Sequence, residues 1–292
     1  MMIMALLALV PMSLLTRFLW MNKSKSSSNN QCKAKEIDPA YFRGLGHLIE
    51  NEPDKAIDAF SHLLEVDQDT IDLHLFLGCL FRSRGEVSRA IRIHENILAR
   101  PQLSQNDYAK VRYELARDYL QAGFFNYAET HFKSLIKGKS DYVESSLQAL
   151  VNIYEQEKDW LNAINTGTRL RKVFRVDIAK PLAHYYCEHV LSLSESKPKE
   201  RIKTLQQALK VDPDCARANL MLADEYISMR QVDLAFAAIQ AMKLQSITFI
   251  REVVSRMWQL QALGLSTQFM EKFWRECLEL THDSQIIIAL HS

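Results

Sequence analysis

The residues that could do chemistry are scattered along this chain rather than gathered. Its five cysteines, Cys32, Cys79, Cys187, Cys215 and Cys277, are far apart and never form a C-x-x-C pair. That spacing supports no tetrahedral thiolate site, and the set reads as buried or idle thiols of a reducing compartment. His184 and His189 stand five residues apart, whereas two metal ligands on one helix face need a separation of four. No glycine-rich phosphate loop and no serine nucleophile elbow occurs, and Gly44-x-Gly46 belongs to a helical stretch. His94 holds a position usually aromatic, so it reads as a packed or interface histidine. Asp118-Tyr119 and Glu225-Tyr226 belong to a recurring pattern and read as structural. No catalytic residue, metal ligand, cofactor or small-molecule substrate is expected. What recurs instead is a set suited to recognition: Arg82, Tyr113, Arg117, Gln148, Asn152, Arg217 and Asp224. Arginine, tyrosine and amides combine contact area with hydrogen bonding, as protein interfaces require.

The elements that would carry these side chains are clearest over residues 70–100. Leu73, Leu77, Leu80 and Phe81 recur at helical spacing, as do Val87, Ala90, Ile91, Ile97 and Leu98. Between them Gly85 suits the left-handed position that ends a helix, and Glu86 sits where the next helix favours negative charge. Gly78 and Ala90 fall where two helices must approach closely. One such pair cannot bury its apolar face and needs neighbours of its own kind.

A 34-residue frame supplies them. Gly78 and Ala90 take positions 8 and 20, and Gly44, Ala56 and Phe60 occupy positions 8, 20 and 24 one period earlier. Ala116, Tyr119, Gly123, Ala128 and Phe132 form a third copy, and Leu150, Tyr154, Ala163 and Leu170 a fourth. Tyr185, Leu205, Ala208 and Pro213 mark a degenerate fifth, and Leu222, Ala223, Tyr226 and Ala235 a sixth. This is tetratricopeptide spacing. Pro39 fits a first helical turn, Pro53 the turn inside a pair, and Pro101, Pro181 and Pro213 the gaps between pairs. The fold class is therefore all-α: a right-handed tetratricopeptide superhelix over 37–247, closed by a terminal pair and apolar tail over 248–292. The first helix of each pair lines the concave groove, and the seven recognition residues above lie at or beside groove-facing positions, together with Tyr41, Leu45, Asp72, Leu75 and Lys110.

Residues 1–21 are a different material, almost wholly apolar and about the length of a membrane-crossing helix. Arg17 and Trp20 suit the membrane interface, and Lys23 and Lys25 follow it. With no basic residue before the apolar run, the positive-inside rule puts the bulk of the chain in the cytoplasm, held by one N-terminal transmembrane helix. The alternative is a cleaved secretory signal and a periplasmic scaffold, but a charged n-region and a small-x-small site are lacking. Residues 22–36 read as a flexible linker. The net charge of +1 gives no reason to expect nucleic acid as a partner.

The run Leu80-Phe81-Arg82-Ser83-Arg84-Gly85-Glu86-Val87, continued by Arg89-Ala90-Ile91-Arg92-Ile93-His94, resembles the lipopolysaccharide assembly protein B family. Arg117-Asp118-Tyr119 with Ala122-Gly123, Ala128-Glu129 and Ala183-His184-Tyr185-Tyr186-Cys187-Glu188 extend the resemblance. It implies an inner-membrane adaptor of Gram-negative bacteria that works with an FtsH-like membrane protease to control an LpxC-like deacetylase. It further implies more repeats and a C-terminal rubredoxin-type module with two C-x-x-C pairs. Neither pair is present, so this chain reads as a short member with no metal site.

Overall fold

A computed structural model describes residues 39–50, 52, 55–56, 58–59, 71–101, 103–193, 197–242 and 250–281. The expected membrane helix with Arg17, Trp20, Lys23 and Lys25, the linker and the apolar tail lie outside these residues. Among the described residues no helix is long and apolar enough to cross a membrane.

All the regular structure described is helical, and thirteen helices are bounded within it. They are α1 (Pro39–Ile49), α2 (Ile71–Ser83), α3 (Val87–Leu98), α4 (Gln105–Gln121), α5 (Phe125–Leu135), α6 (Val143–Gln156) and α7 (Trp160–Phe174). Then follow α8 (Ala179–Ser192), α9 (Pro198–Val211), α10 (Ala216–Ser228), α11 (Val232–Met242), α12 (Ile250–Ala262) and α13 (Thr267–Thr281). The chain divides into two compact units, Met1–Leu73 and His74–Ser292. In the first, α1 buries Gly44, and Ala56 beyond it is wholly buried.

The second unit is a stack of antiparallel hairpins, a tetratricopeptide-like solenoid. Each helix packs on the next from α3 to α12, and first helices also meet across pairs, α8 on α10 and α10 on α12. The small residues of the frame explain why this is possible. Ala90, Ala128, Ala163 and Ala235 are all 0% exposed, each letting its helix approach its partner. Around them the apolar faces follow helical periodicity, as in Ala128, Phe132 and Leu135 of α5. Two apolar clusters result. One runs from Ala109 to Tyr185 and the other from Ala183 to Cys277, so both draw on α8.

The turn within each of five hairpins closes in the same way. The residue after the turn donates its N–H to a carbonyl five residues back: Glu86 to Phe81, Phe124 to Tyr119, Asp159 to Tyr154, Gln231 to Tyr226 and Leu265 to Leu260, at 2.8–2.9 Å. This Schellman arrangement needs a left-handed residue just before the donor. Gly85 has φ +81° and Gly123 +78°, but Lys158 and Arg230 fill the same place at φ 57° and 56°. The turn geometry thus recurs where the glycine does not. Pro181, expected between helix pairs, lies instead in the first turn of α8, where its missing N–H breaks no intrahelical bond.

Candidate functional site

Three first helices, α2, α4 and α6, carry most of the expected recognition residues, and the structure sorts them by depth. Arg82 is only 6% exposed and does not face solvent as expected for a groove residue. One arm of its guanidinium donates to Asp118 Oδ1 at 2.7 Å and to the Glu114 carbonyl at 3.2 Å; the other donates to Glu114 Oε2 at 2.6 Å. Two acids one helical turn apart on α4 therefore clasp an arginine from the preceding hairpin. The Asp118 side chain is wholly buried, and its second oxygen meets His94 Nδ1 from α3. His94 is itself wholly buried, with Nε2 3.3 Å from the Leu75 carbonyl.

This arrangement depends on Gly78. A Cβ there would stand 2.3 Å from His94 Nε2, so only glycine leaves room for the imidazole against α2. The bulky ring at the position-24 site and the missing side chain at position 8 are one device. Gln121 of α4 also donates to the Arg82 carbonyl at 3.1 Å, adding a second tie between α4 and the end of α2.

Charge and burial compete within the cluster. Burial opposes the charge on Arg82, but its hydrogen bonds to Asp118 and Glu114 more than reverse this and raise its pKa above the usual arginine range. Burial also pushes the Glu114 carboxyl up, yet the bond and charge of Arg82 hold it below its ordinary value. Cys79, against the same carboxylate, has its thiol pushed up to about 11, by burial first and then by Glu114. It is a protonated, unreactive thiol.

Toward solvent the same helix carries Arg117, whose side chain is 48% exposed and pairs with Glu114 at 3.2 Å. Its guanidinium lies 5.9 Å from the Tyr113 ring centroid. Tyr113 in turn stacks on Tyr142, centroids 4.8 Å apart, and meets Phe132 edge-on. The arginine is thus carried beside a rigid aromatic platform. On α6, Gln148 and Asn152 are exposed one turn apart, and Gln148 donates to Glu144 at 3.4 Å.

The remaining two residues have partners of their own. Arg217 pairs with Glu188 at 2.6 Å, and Asp224 takes a two-pronged bond from Arg256 at 2.6 and 2.8 Å. These pairs link α8 to α10 and α10 to α12, cross-ties between successive first helices. Of the groove positions read from the frame, Leu75 is a core residue, whereas Asp72 is exposed.

Sequence reasoning left out Glu114 and Tyr142. Glu114 and Asp118, four apart on one helix, were the available signal for a buried cation. A second feature escaped it too: Tyr119, Tyr154 and Tyr185 each donate to a glutamate of an earlier helix, Glu95, Glu129 and Glu155, at 2.5, 2.7 and 3.0 Å. Among the described residues one trio, His47, Glu50 and Glu52, comes close enough to share a cation. Lys55 already holds Glu52 at 2.8 Å, so the trio reads as surface ion pairs.

No family model matches the sequence. Over 273 residues the chain is 31% identical to lipopolysaccharide assembly protein B of Escherichia coli (strain K12), spanning 92% of this chain and 70% of that protein. It is 34% identical over 213 residues to the protein of the same name from Haemophilus influenzae, spanning 70% and 54%. Among solved structures it is similar to the one described as Naa15/Naa10 bound to HypK-THB, with a TM-score of 0.53 at 14% identity, over 86% of this chain and 38% of that one. That likeness is one of fold. A tetratricopeptide repeat protein from Parabacteroides merdae aligns over 86% of this chain and 96% of its own, with a TM-score of 0.45 at 12% identity.

Proposed function

The chain belongs to the lipopolysaccharide assembly protein B family, and from that premise we propose that it is an inner-membrane adaptor regulating lipopolysaccharide synthesis. Its client is an LpxC-like synthesis enzyme, presented on the hairpin stack to an FtsH-like membrane protease. The observation that carries this reading is the division of labour at α4. The Arg82 cluster fixes the helix from behind, and Arg117 and Tyr113 stand in front of it.

Docking a polypeptide on this face uses Arg117 for carboxylates, the Tyr113–Tyr142 stack for apolar contact, and Gln148 and Asn152 for backbone hydrogen bonds. Arg and Tyr of this kind lose little side-chain freedom when they bind because packing already holds them. Arg82 acts indirectly, by orienting α4. Arg217 and Asp224 hold the first helices in register where the groove continues. Residues 1–21 anchor the chain in the inner membrane, with Arg17, Trp20, Lys23 and Lys25 at the interface and the repeats in the cytoplasm. Tethering matters physically, because it raises the effective concentration of other membrane-bound partners.

The test is co-purification from solubilised membranes using the full chain. Arg117→Glu combined with Asn152→Ala should lower recovery of the protease or the synthesis enzyme about tenfold, equivalent to ~1.4 kcal/mol. Both side chains are exposed, so helical content should not change. Undiminished recovery of both partners would move docking to another surface. Deleting residues 2–21 should release the chain from membranes, and retention there would overturn the anchor.

A further inference from the structure

The Arg117 face leaves unused a cavity at the open end of the α4–α5 hairpin. It measures about 490 Å³ and lies between the start of α4, the end of α5 and the loop at 138–141. That volume is in the range of small-molecule pockets. Arg112 of α4 lines it, half-buried, with its guanidinium 4.5 Å from the Tyr108 ring centroid. Its two terminal nitrogens donate to Ser134 Oγ and Tyr108 Oη, which are neutral partners. Among the described residues no carboxylate lies within ion-pair distance of Arg112 or of Lys139, which lines the same cavity. This contrasts with Arg82, Arg201, Arg217 and Arg256, each answered by an acid.

The rest of the polar lining is rich in donors. Having accepted from Arg112, the hydroxyls of Ser134 and Tyr108 each keep a proton to give. Ser140 Oγ and Arg112 Nε are buried without a hydrogen-bond partner, two of four such atoms among the described residues. A half-buried cation with only neutral partners is unfavourable by itself, and an oxyanion in the cavity would supply the missing charge; the two orphaned donors, closed off from water as they stand, would reach it through a local side-chain shift. The one carboxylate among the described lining residues, Asp141, is exposed, so water screens it. The cavity is larger than an oxyanion alone requires, and Leu103, Leu135 and the Tyr108 ring give the remaining space an apolar wall.

We propose that this cavity binds a phosphate group, either as free phosphate or as the head of a small phosphorylated sugar. The donors come from several directions, which suits the three terminal oxygens of a phosphate better than the two of a carboxylate. The site uses residues of α4 other than the docking face and stands whether or not partners dock there.

Calorimetric titration of the full chain in detergent with inorganic phosphate, glucose 1-phosphate and glucose tests this. At least one phosphate-bearing probe should saturate, and glucose should bind far more weakly. Tighter binding of glucose 1-phosphate than of phosphate assigns the site to a sugar phosphate, and equal binding assigns it to the free ion. Lys139→Ala and Arg112→Gln should each weaken binding about tenfold, the effect of losing a charge-assisted hydrogen bond. Asp141→Asn should tighten it. Lys139 and Asp141 are exposed, so their variants read the site even where Arg112→Gln perturbs the fold. Absence of saturable phosphate binding at millimolar concentration, affinity unchanged in Lys139→Ala and Asp141→Asn, or glucose binding as tightly as its phosphate would each overturn the proposal.

Discussion

Replacing Arg82 with methionine keeps most of the side-chain volume and removes the charge, leaving Asp118 with His94 alone and Glu114 with the half-exposed Arg117 in place of their shared buried cation. Asp118 has no exposed side-chain surface and Glu114 only 16%, so water cannot take over the arginine's role at the first and does so poorly at the second. Breaking a buried pair by deleting one partner costs about 3–5 kcal/mol, because a charge is left uncompensated. The comparison is Arg256→Met. Its partner Asp224 is 46% exposed, and pairs of that kind contribute roughly 0–1 kcal/mol. Urea unfolding followed by circular dichroism should separate the two variants clearly. Because stacked repeats need not unfold in one step, hydrogen exchange across α2, α3 and α4 provides the local reading, with protection falling there first in Arg82→Met. Arg82→Lys, which keeps the charge but loses the fork, should fall between wild type and methionine. If Arg82→Met destabilises the chain no more than Arg256→Met while partner recovery collapses, the reasoning fails. Arg82 would then touch the partner directly, as its frame position suggested.

Two further outcomes follow from the packing. Gly78→Ala places a methyl group within 2.9 Å of three His94 ring atoms, and the ring is held by Asp118 and Leu75; a loss of about 1–3 kcal/mol is expected. In a His94→Ala background the same change should cost much less, which a double-mutant cycle by chemical denaturation measures; equal costs in both backgrounds would rule out the clash. The repeated tyrosine–glutamate bonds predict alkaline sensitivity. Burial and the bond to Glu155 push the Tyr185 phenol up to about 12, and burial with Glu95 or Glu129 raises Tyr119 and Tyr154 further. A raised folded value means that the contribution is whole below the ordinary tyrosine value of about 10 and is lost as pH climbs through the folded one. Stability should therefore decline above about pH 10, and three phenols should titrate late by ultraviolet absorbance; normal titration of all three would contradict the bonds.

Much of the architecture is a local property of the chain. Ala90, Ala128, Ala163 and Ala235 mark close helix approaches because each must be small within its own hairpin, and the large residues around them repeat at helical spacing. A reader of the sequence can find the pairs, the Gly85 turn and the terminal pair from that alone. Lys158 and Arg230 show where this stops. Their left-handed backbone is imposed by the hairpin around them rather than by any preference of lysine or arginine.

For the candidate site, the sequence carries the residue types but not their depth. Arg82 and Arg117 look alike in the frame, both arginines on first helices. Which of them meets solvent is set by Glu114 and Asp118, more than thirty residues downstream of Arg82 and brought to it only by the stacking of α4 on the preceding hairpin. Arg217 and Asp224 likewise acquire partners from neighbouring hairpins, Glu188 and Arg256. Periodicity records which face of a helix is apolar, since that depends on residues within one turn or two. It does not record which charges are paired, because pairing depends on the register between hairpins, and that register exists only once the stack has formed.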